Sequence, residues 1–484
     1  MIPFQGFAPD LDPATPGVFV DCSQWIPYEA GFEAAPSATT PPATPALAAA
    51  CRGAAVLTNL SGTNRTFAGT ATKIYELSAG SWVDAAAVGD YSLGTENRWT
   101  FCQFGNASIA ASKTEDLQFS TSGDFADVAG APKAAIALSV AGFVMLLNYN
   151  DGTDTPHGWY CSALRDYTDW TPDIDTQCAF GLLLQTPGAI TAGARLGEGV
   201  VVGKARSLYR MDYQGGDTIW TTTVVSDEIG CVGLHAMIPV QNMVAFASPN
   251  GIWIYDGSYP MDISGPIKQW WTDNLSSTLA YRTELAYEES SQRLWVYFAN
   301  TQSTGNPNDC LVYHMGTKRW GRAARTIETT VRDYQQPSIT WDGLGSLYTT
   351  WNDLPTDISY DSGFWTSGSR NLSVVDTAHQ IKTLTGSAEA SSFISNDFGD
   401  DQGVTAALDV SVRYLGGPTT ATCRPYSKFS MDAAFTILNP SSISRSDNKY
   451  HVRSSGRFHR FRVEHTGPAK ADGIAVRFAE VGSR

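Results

Sequence analysis

The sequence has little charge, few histidines and almost no helical periodicity. Only 17% of its 484 residues are Asp, Glu, Lys or Arg, below the usual quarter for a globular chain. That balance suits an all-β particle with broad protein–protein surfaces better than a solitary, heavily solvated enzyme. The eight cysteines, at 22, 51, 102, 161, 178, 231, 310 and 423, form no CxxC pair, and histidine is too sparse to complete a Cys/His set. Zinc-type spacing is therefore missing, and buried free thiols in a reducing compartment are expected. No GxGxxG or P-loop occurs, so the sequence predicts no cofactor site. The opening MIPFQGFAPDLD has no basic stretch, and no secretory signal is expected there. The most apolar run, residues 134–147, is too short to span a bilayer; it predicts two buried strands.

What is present is a repeated strand pattern. In Asn250–Ser264 (NGIWIYDGSYPMDIS), Ile252 and Ile254 alternate with Trp253 and Tyr255, the period of a strand. Asp256-Gly257 then supplies a tight turn, because Gly tolerates φ > 0 and Asp can bond its own backbone. Variants of this pattern recur, each anchored on an aromatic: Trp82, Phe125, Trp170, Trp220, Tyr259, Trp320 and Trp365. The anchors lie 43, 45, 50, 39, 61 and 45 residues apart, the length of a four-stranded propeller blade. A lone hairpin cannot bury its apolar face, so such units must stack, and radial stacking protects their edges. The fold class predicted is all-β, an irregular six- or seven-bladed β-propeller over 51–372. The one helical candidate is a short turn around Pro266–Leu275.

Residues 1–50 are organised differently. Prolines at 9, 13, 16, 27, 36, 41, 42 and 45 predict an extended arm. Val18, Val20, Trp25 and Ile26 are too apolar for a solvated linker, so the arm is expected to be ordered by contact, and these four are its candidate assembly residues. Residues 373–484 form a third region. Alternation at Val410, Val412 and Tyr414, and again across 458–464, predicts long antiparallel strands of a sandwich-like domain. Its basic faces carry Arg453, Arg457, Arg460 and Arg462, the candidate residues for docking a partner.

Charge separates these regions. Residues 1–400 carry 21 Lys and Arg against 41 Asp and Glu, a balance of −20, whereas 413–484 carry 12 against 5, or +7. An acidic body with a basic tail is not expected to bind nucleic acid generally across its whole surface. The aspartates of NYNDGTDTPHGW (Asp151, Asp154) and RDYTDWTPDID (Asp166, Asp169, Asp173, Asp175) could stand as glycosidase carboxylates, yet propeller loops use Asp for turns alone, and that reading is preferred. No catalytic constellation and no metal site is predicted.

Several stretches occur in a telling order. PDLDPATPGVFVDCSQWIPYEAGF comes first, then SALRDYTDWTPDIDTQCAFGLLLQTPGAITAGARLGEGVVVGKARSLYRM. WDGLGSLYTTWNDLP and YDSGFW follow, then LTGSAEASSFISNDFGD, SGRFHRFRVEHTG and the terminal AEVGSR. This series resembles the tail nozzle (tail hub, or packaged-DNA stabilisation) proteins of short-tailed bacteriophages, across essentially the whole chain. The Ala/Thr/Pro-rich insert at 36–50 departs from that pattern. The resemblance implies a non-enzymatic homo-hexameric ring in the virion tail, assembled in the bacterial cytoplasm. Its partners would be the portal-adaptor ring and tailspike, tail fibre or tail needle proteins. Double-stranded DNA would pass through the lumen without sequence-specific binding, and no segment would span a membrane. Two rival readings are a carbohydrate-binding or carbohydrate-cleaving propeller for receptor recognition, and a peptide-binding scaffold of the WD or kelch kind.

Overall fold

The computed structural model describes residues 1–41, 44–87, 89–335, 350, 370–444 and 446–482. Its centre is a ring of strands: Ala54–Thr58, Thr100–Phe104, Lys133–Val140, Ile190–Leu196, Met237–Val240, Glu284–Glu288 and Thr329–Gln335. Each lies against the next, and the last closes on the first. From each ring strand an antiparallel meander runs outward. Six of these sheets contribute four strands of their own sequence, and the seventh, closing the ring, contributes three. The molecule is thus an all-β propeller of six four-stranded blades plus a shorter closing sheet.

The aromatic anchors mark the outer edges of the six full blades. Trp82 and Trp320 lie within outermost strands, Trp220 begins one, and Phe125 and Tyr259 immediately precede theirs. Trp170 lies in the loop before the strand Ala179–Leu182. Trp365 and most of the stretch around it fall outside the described residues. Middle strands read differently, as continuous apolar runs such as Phe143–Leu147 and Val200–Val202, because neighbouring blades cover both their faces. The run 134–147 forms two paired strands, Lys133–Val140 and Phe143–Asn150, joined at Ala141-Gly142, where both residues have positive φ.

The Pro-rich arm does not stand apart. Its strands are shared between the propeller and the C-terminal sheets. Ile2–Pro3 pairs with the last strand, and Val18–Ser23 pairs with Ser391–Ser395. The hairpin Trp25–Tyr28/Gly31–Ala34 bridges the sixth blade to Lys470–Ala471 of the last strand. One ten-stranded sheet therefore runs from the propeller axis into the C-terminal region. This close docking needs glycine at 321, where a Cβ would lie 2.5 Å from the Trp25 carbonyl oxygen. Asp10 reaches the short helix Lys268–Asn274 and accepts the N–H groups of Gln269 at 2.6 Å and Trp270 at 3.0 Å.

Beyond the hairpin, residues 36–41 and 44–47 follow the outer edge of the closing blade. Thr39 and Thr383 exchange backbone hydrogen bonds of 2.8 Å, and Leu47 N–H donates to the His379 carbonyl. The N-terminal segment thereby occupies the place of the missing fourth strand. Strand Ile381–Thr383 belongs to this blade, so the propeller extends past residue 372. The predicted long strands follow as Val404–Gly416, Thr420–Lys428, Phe458–Thr466 and Lys470–Gly482, in two sheets packed face to face. Phe4, Phe19, Phe32 and Trp25 of the arm interlock with Phe393 and His465 there. Ring centroids lie 4.9 Å apart for Phe4–Phe19 and Phe19–Phe393, and 5.0 Å for Trp25–His465.

Candidate functional site

Three places carry chemistry worth testing: the arm seam, the acidic loops and the mouth of the propeller axis. At the seam, Val18, Trp25 and Ile26 are buried within the chain itself and Val20 is half-buried. Trp25 and Ile26, consecutive on one strand, face opposite sides of it and enter two separate hydrophobic cores of the chain. The basic candidates are dispersed. Arg453 is exposed, and Arg457 is half-buried beside Lys428. Arg460 bonds Asp397 at 2.5 Å and lies over the Phe435 ring, while Arg462 is 3.0 Å from Glu464. Arg462 stands directly opposite Arg424 on the neighbouring strand, so two like charges share one outward face. Arg477 reaches the buried Asp409 at 2.5 Å.

The acidic loops line a cleft of about 690 Å³ that includes Lys113, Asp116, Lys133, Asp151, Asp154 and Tyr160. Its carboxylates are already engaged: Lys113 pairs with Asp154, Lys133 lies 3.5 Å from Asp116, and Asp151 accepts the Thr153 N–H. In the second Asp-rich loop, Asp166, Asp169 and Asp173 accept the N–H of the residue two positions on, at 2.8, 3.0 and 2.7 Å. Those are turn bonds, and those to Thr168 hold the Asp166 carboxyl below its usual range. The cleft offers no isolated pair of carboxylates flanking a substrate.

The axial mouth is a site that repeat reading passed over. Inner strands of a propeller run in one direction around the ring, so residues just before them gather at one end. Arg52, Arg98, His235, Arg282, Glu284 and Glu328 all precede or begin inner strands, and Arg332 projects from the closing one. The carboxylates are hydrogen-bonded to backbone and neighbours. Glu284 accepts the Thr330 N–H at 2.6 Å and the Thr329 hydroxyl at 3.0 Å. Glu328 accepts the Cys51 N–H at 2.8 Å and pairs with His379 at 2.7 Å. Arg52 and Arg98 donate to carbonyls at 93–97, and Arg282 to those of Gly305 and Glu328. Among the described residues, none of the four arginines has a carboxylate within 4.0 Å. Burial and the neighbouring Arg282 push Arg98 down to about 10. Burial lowers His235; Glu284 opposes that, and Arg332, Arg98 and Arg282 reinforce it. Nε of Arg98, Nε of Arg282 and Nε2 of His235 are buried without a partner. A basic residue recurring just before inner strands was the available signal.

No protein-family profile matches this chain, and no curated protein does. Solved structures align with it weakly. PorZ, a bacterial surface component of the type-IX secretion system of Porphyromonas gingivalis, aligns with TM-score 0.36 and 9% identity, over 85% of this chain and 53% of PorZ. This chain thus spans about half of that protein. BBS1N in complex with ARL6DN aligns with TM-score 0.37 and 11% identity, over 75% of this chain and 96% of that one. An exo-beta-1,3-galactanase from Phanerochaete chrysosporium aligns with TM-score 0.28 and 8% identity, over 92% and 99%. Likenesses of this size carry no argument about activity.

The thiols are inert in character. All eight cysteines are free and seven are buried; burial pushes Cys51 and Cys231 up to about 12, far from a reactive thiolate. No three His, Cys, Asp or Glu side chains among the described residues could hold a metal ion together. No helix among them is long and apolar enough to cross a membrane.

Proposed function

We propose that this chain is a structural virion protein, a subunit of the ring-shaped tail nozzle of a short-tailed bacteriophage. In this role it extends the portal-adaptor channel, retains packaged DNA and conducts it outward. The observation that carries the reading is the weave of residues 1–47 through the last two blades and the C-terminal sheets, which joins arm, propeller and sandwich in one hydrophobic core. Of the motifs that resemble nozzle proteins, 9–32, 384–400 and 455–467 lie on those joined parts, whereas 162–211 lies on the third and fourth blades. A subunit loaded by packed DNA gains from such closure, because force on one part is shared by all of them.

The DNA path in this reading lies between copies, not along the propeller axis. The axial cavity is about 100 Å³, lined by Trp99, Phe101, Ile136 and Leu138 among others, and a duplex whose major groove alone is ~12 Å wide cannot enter it. The balance of −20 over residues 1–400 supplies walls that do not hold phosphate, since each basic contact would add salt-dependent sticking. The basic C-terminal strands then face partner proteins.

Mass photometry of the purified chain with and without its adaptor ring tests this. A six-fold ring on the adaptor is the expected result, and a cryo-EM map of the virion should place it on the tail axis. Three-fold spikes, or absence from the axis, would overturn the reading. A melting temperature raised by oligosaccharides would favour the carbohydrate-binding propeller instead.

A further inference from the structure

We propose that the mouth of the propeller axis is a binding site for one small oxyanion of the phosphate or sulfate class, held around His235 by Arg98, Arg282 and Arg332. The inference is independent of the nozzle reading, since it rests on the arginine cluster alone.

The charge arrangement motivates it. Four arginines meet two glutamates at one end of the ring, and each glutamate is committed to a backbone N–H and a second partner. Burial lowers Arg98 and Arg52, and Arg282 depresses both further, while Glu284 acts on Arg98 in the opposite sense. Like charges crowded at a partly desolvated site are unfavourable unless an opposite charge joins them. Two buried guanidinium nitrogens there, Arg98 Nε and Arg282 Nε, have no acceptor, and His235 Nε2 has no partner. Arg282 is itself only 9% exposed, so water does not readily serve it. Buried donors left unmade are the uncommon case in folded proteins, and an oxyanion offers several acceptors at once.

The space limits what can enter. His235 and Arg332 line the axial cavity of about 100 Å³ with Thr100, Thr329 and Thr330. That volume admits a free tetrahedral ion with a water or two, and the apolar lining behind it, Phe101, Ile136 and Leu138, refuses a larger polar body. The same chemistry could come from a phosphate on nucleic acid, but a duplex cannot present one this deep.

His235 gives the site a pH response. Its ring faces Glu284, Arg332, Arg98 and Arg282; the arginines keep their charge across the neutral range. Burial and those cations lower its proton affinity in the empty site, after the opposing effect of Glu284. A bound anion restores that affinity, so by linkage the anion binds more tightly as pH falls through the histidine range.

The test is isothermal titration of the full chain with sodium phosphate and with sodium sulfate at constant ionic strength, sodium chloride serving as control. Saturable one-site binding is expected, strengthening from pH 7.5 toward pH 6. Arg98→Gln and Arg282→Gln should each weaken it about tenfold or more, whereas Arg195→Gln, at an exposed pair with Glu198, should leave it unchanged. If the Gln variants fail to fold, Arg98→Lys and His235→Gln replace them, the second read by loss of the pH dependence. Heat no greater than that of chloride, or equal binding by Arg98→Gln or Arg98→Lys and His235→Gln, overturns the proposal. Displacement of phosphate by short duplex DNA also overturns it, because the source would then be nucleic acid at an open surface.

Discussion

A chain lacking residues 1–35 is expected to lose its C-terminal sheets as a folded unit while the early blades persist. The deletion removes the strand paired with Ser391–Ser395 and the hairpin between the sixth blade and Lys470–Ala471. It also removes Phe4, Phe7, Phe19, Trp25 and Phe32, none more than 1% exposed. Truncating one buried aromatic costs about 3–5 kcal/mol, so five exceed the ~5–15 kcal/mol that holds a typical domain. The ring strands from Ala54 to Val240 make no pairing with the arm and keep their own meanders. Hydrogen exchange should therefore show lost protection over 389–482 and across the outer strand Arg319–Arg322, with 100–226 still protected. Size-exclusion should show aggregation through the uncovered sheet edges. A soluble truncated chain with near-native protection over 389–482 would refute the weave.

How much of this was legible in the sequence follows from which contacts are local. Blades are hairpins, so alternation and the aromatic spacing reveal them, and six anchors fell at or near six outer edges. The closing blade hides its edge, because that strand's place is taken by the segment around Thr39, more than 300 positions away from Thr383. No composition signal reports such a pairing; register across distant strands is set by burial on one face. The arm was legible as apolar, since Trp25 and Ile26 among prolines cannot stay solvated, but not its partners. The axial arginines were hidden by averaging: four arginines gathered at one end of the ring vanish in a balance of −20. The ion pairs of the basic strands were hidden for a related reason, since Arg460 and Arg477 meet Asp397 and Asp409, which only the fold brings near.

Replacing Arg293 with Ala is expected to destabilise the chain by about 3–5 kcal/mol, the usual consequence of orphaning one partner of a buried ion pair. Arg293 is 6% exposed on the second strand of the sixth blade. Its Nε donates to the Pro27 carbonyl at 2.8 Å, and its terminal nitrogen bonds Glu33. Lys470 of the last strand completes the triad, 2.7 Å from the other Glu33 oxygen. One guanidinium thus ties propeller, arm and sandwich, so its loss should loosen all three together. Arg293→Lys should recover only part, because an ammonium cannot fill both the carbonyl and the carboxylate geometry. The acid response follows from Glu33. Burial opposes its charge, but Arg293 and Lys470 prevail and lower it below its ordinary 4.5. A depressed carboxyl stabilises the fold fully above the unfolded value and loses that contribution as pH falls through the folded one. Wild-type melting temperature should therefore drop below about pH 4.5, and Glu33→Gln should flatten that drop while lowering stability at pH 7. Arg293→Ala should flatten it too, since Glu33 then has less to lose. A double-mutant cycle measures the coupling directly: additive effects of Arg293→Ala and Glu33→Gln would mean that the pair does not bind the arm to the propeller.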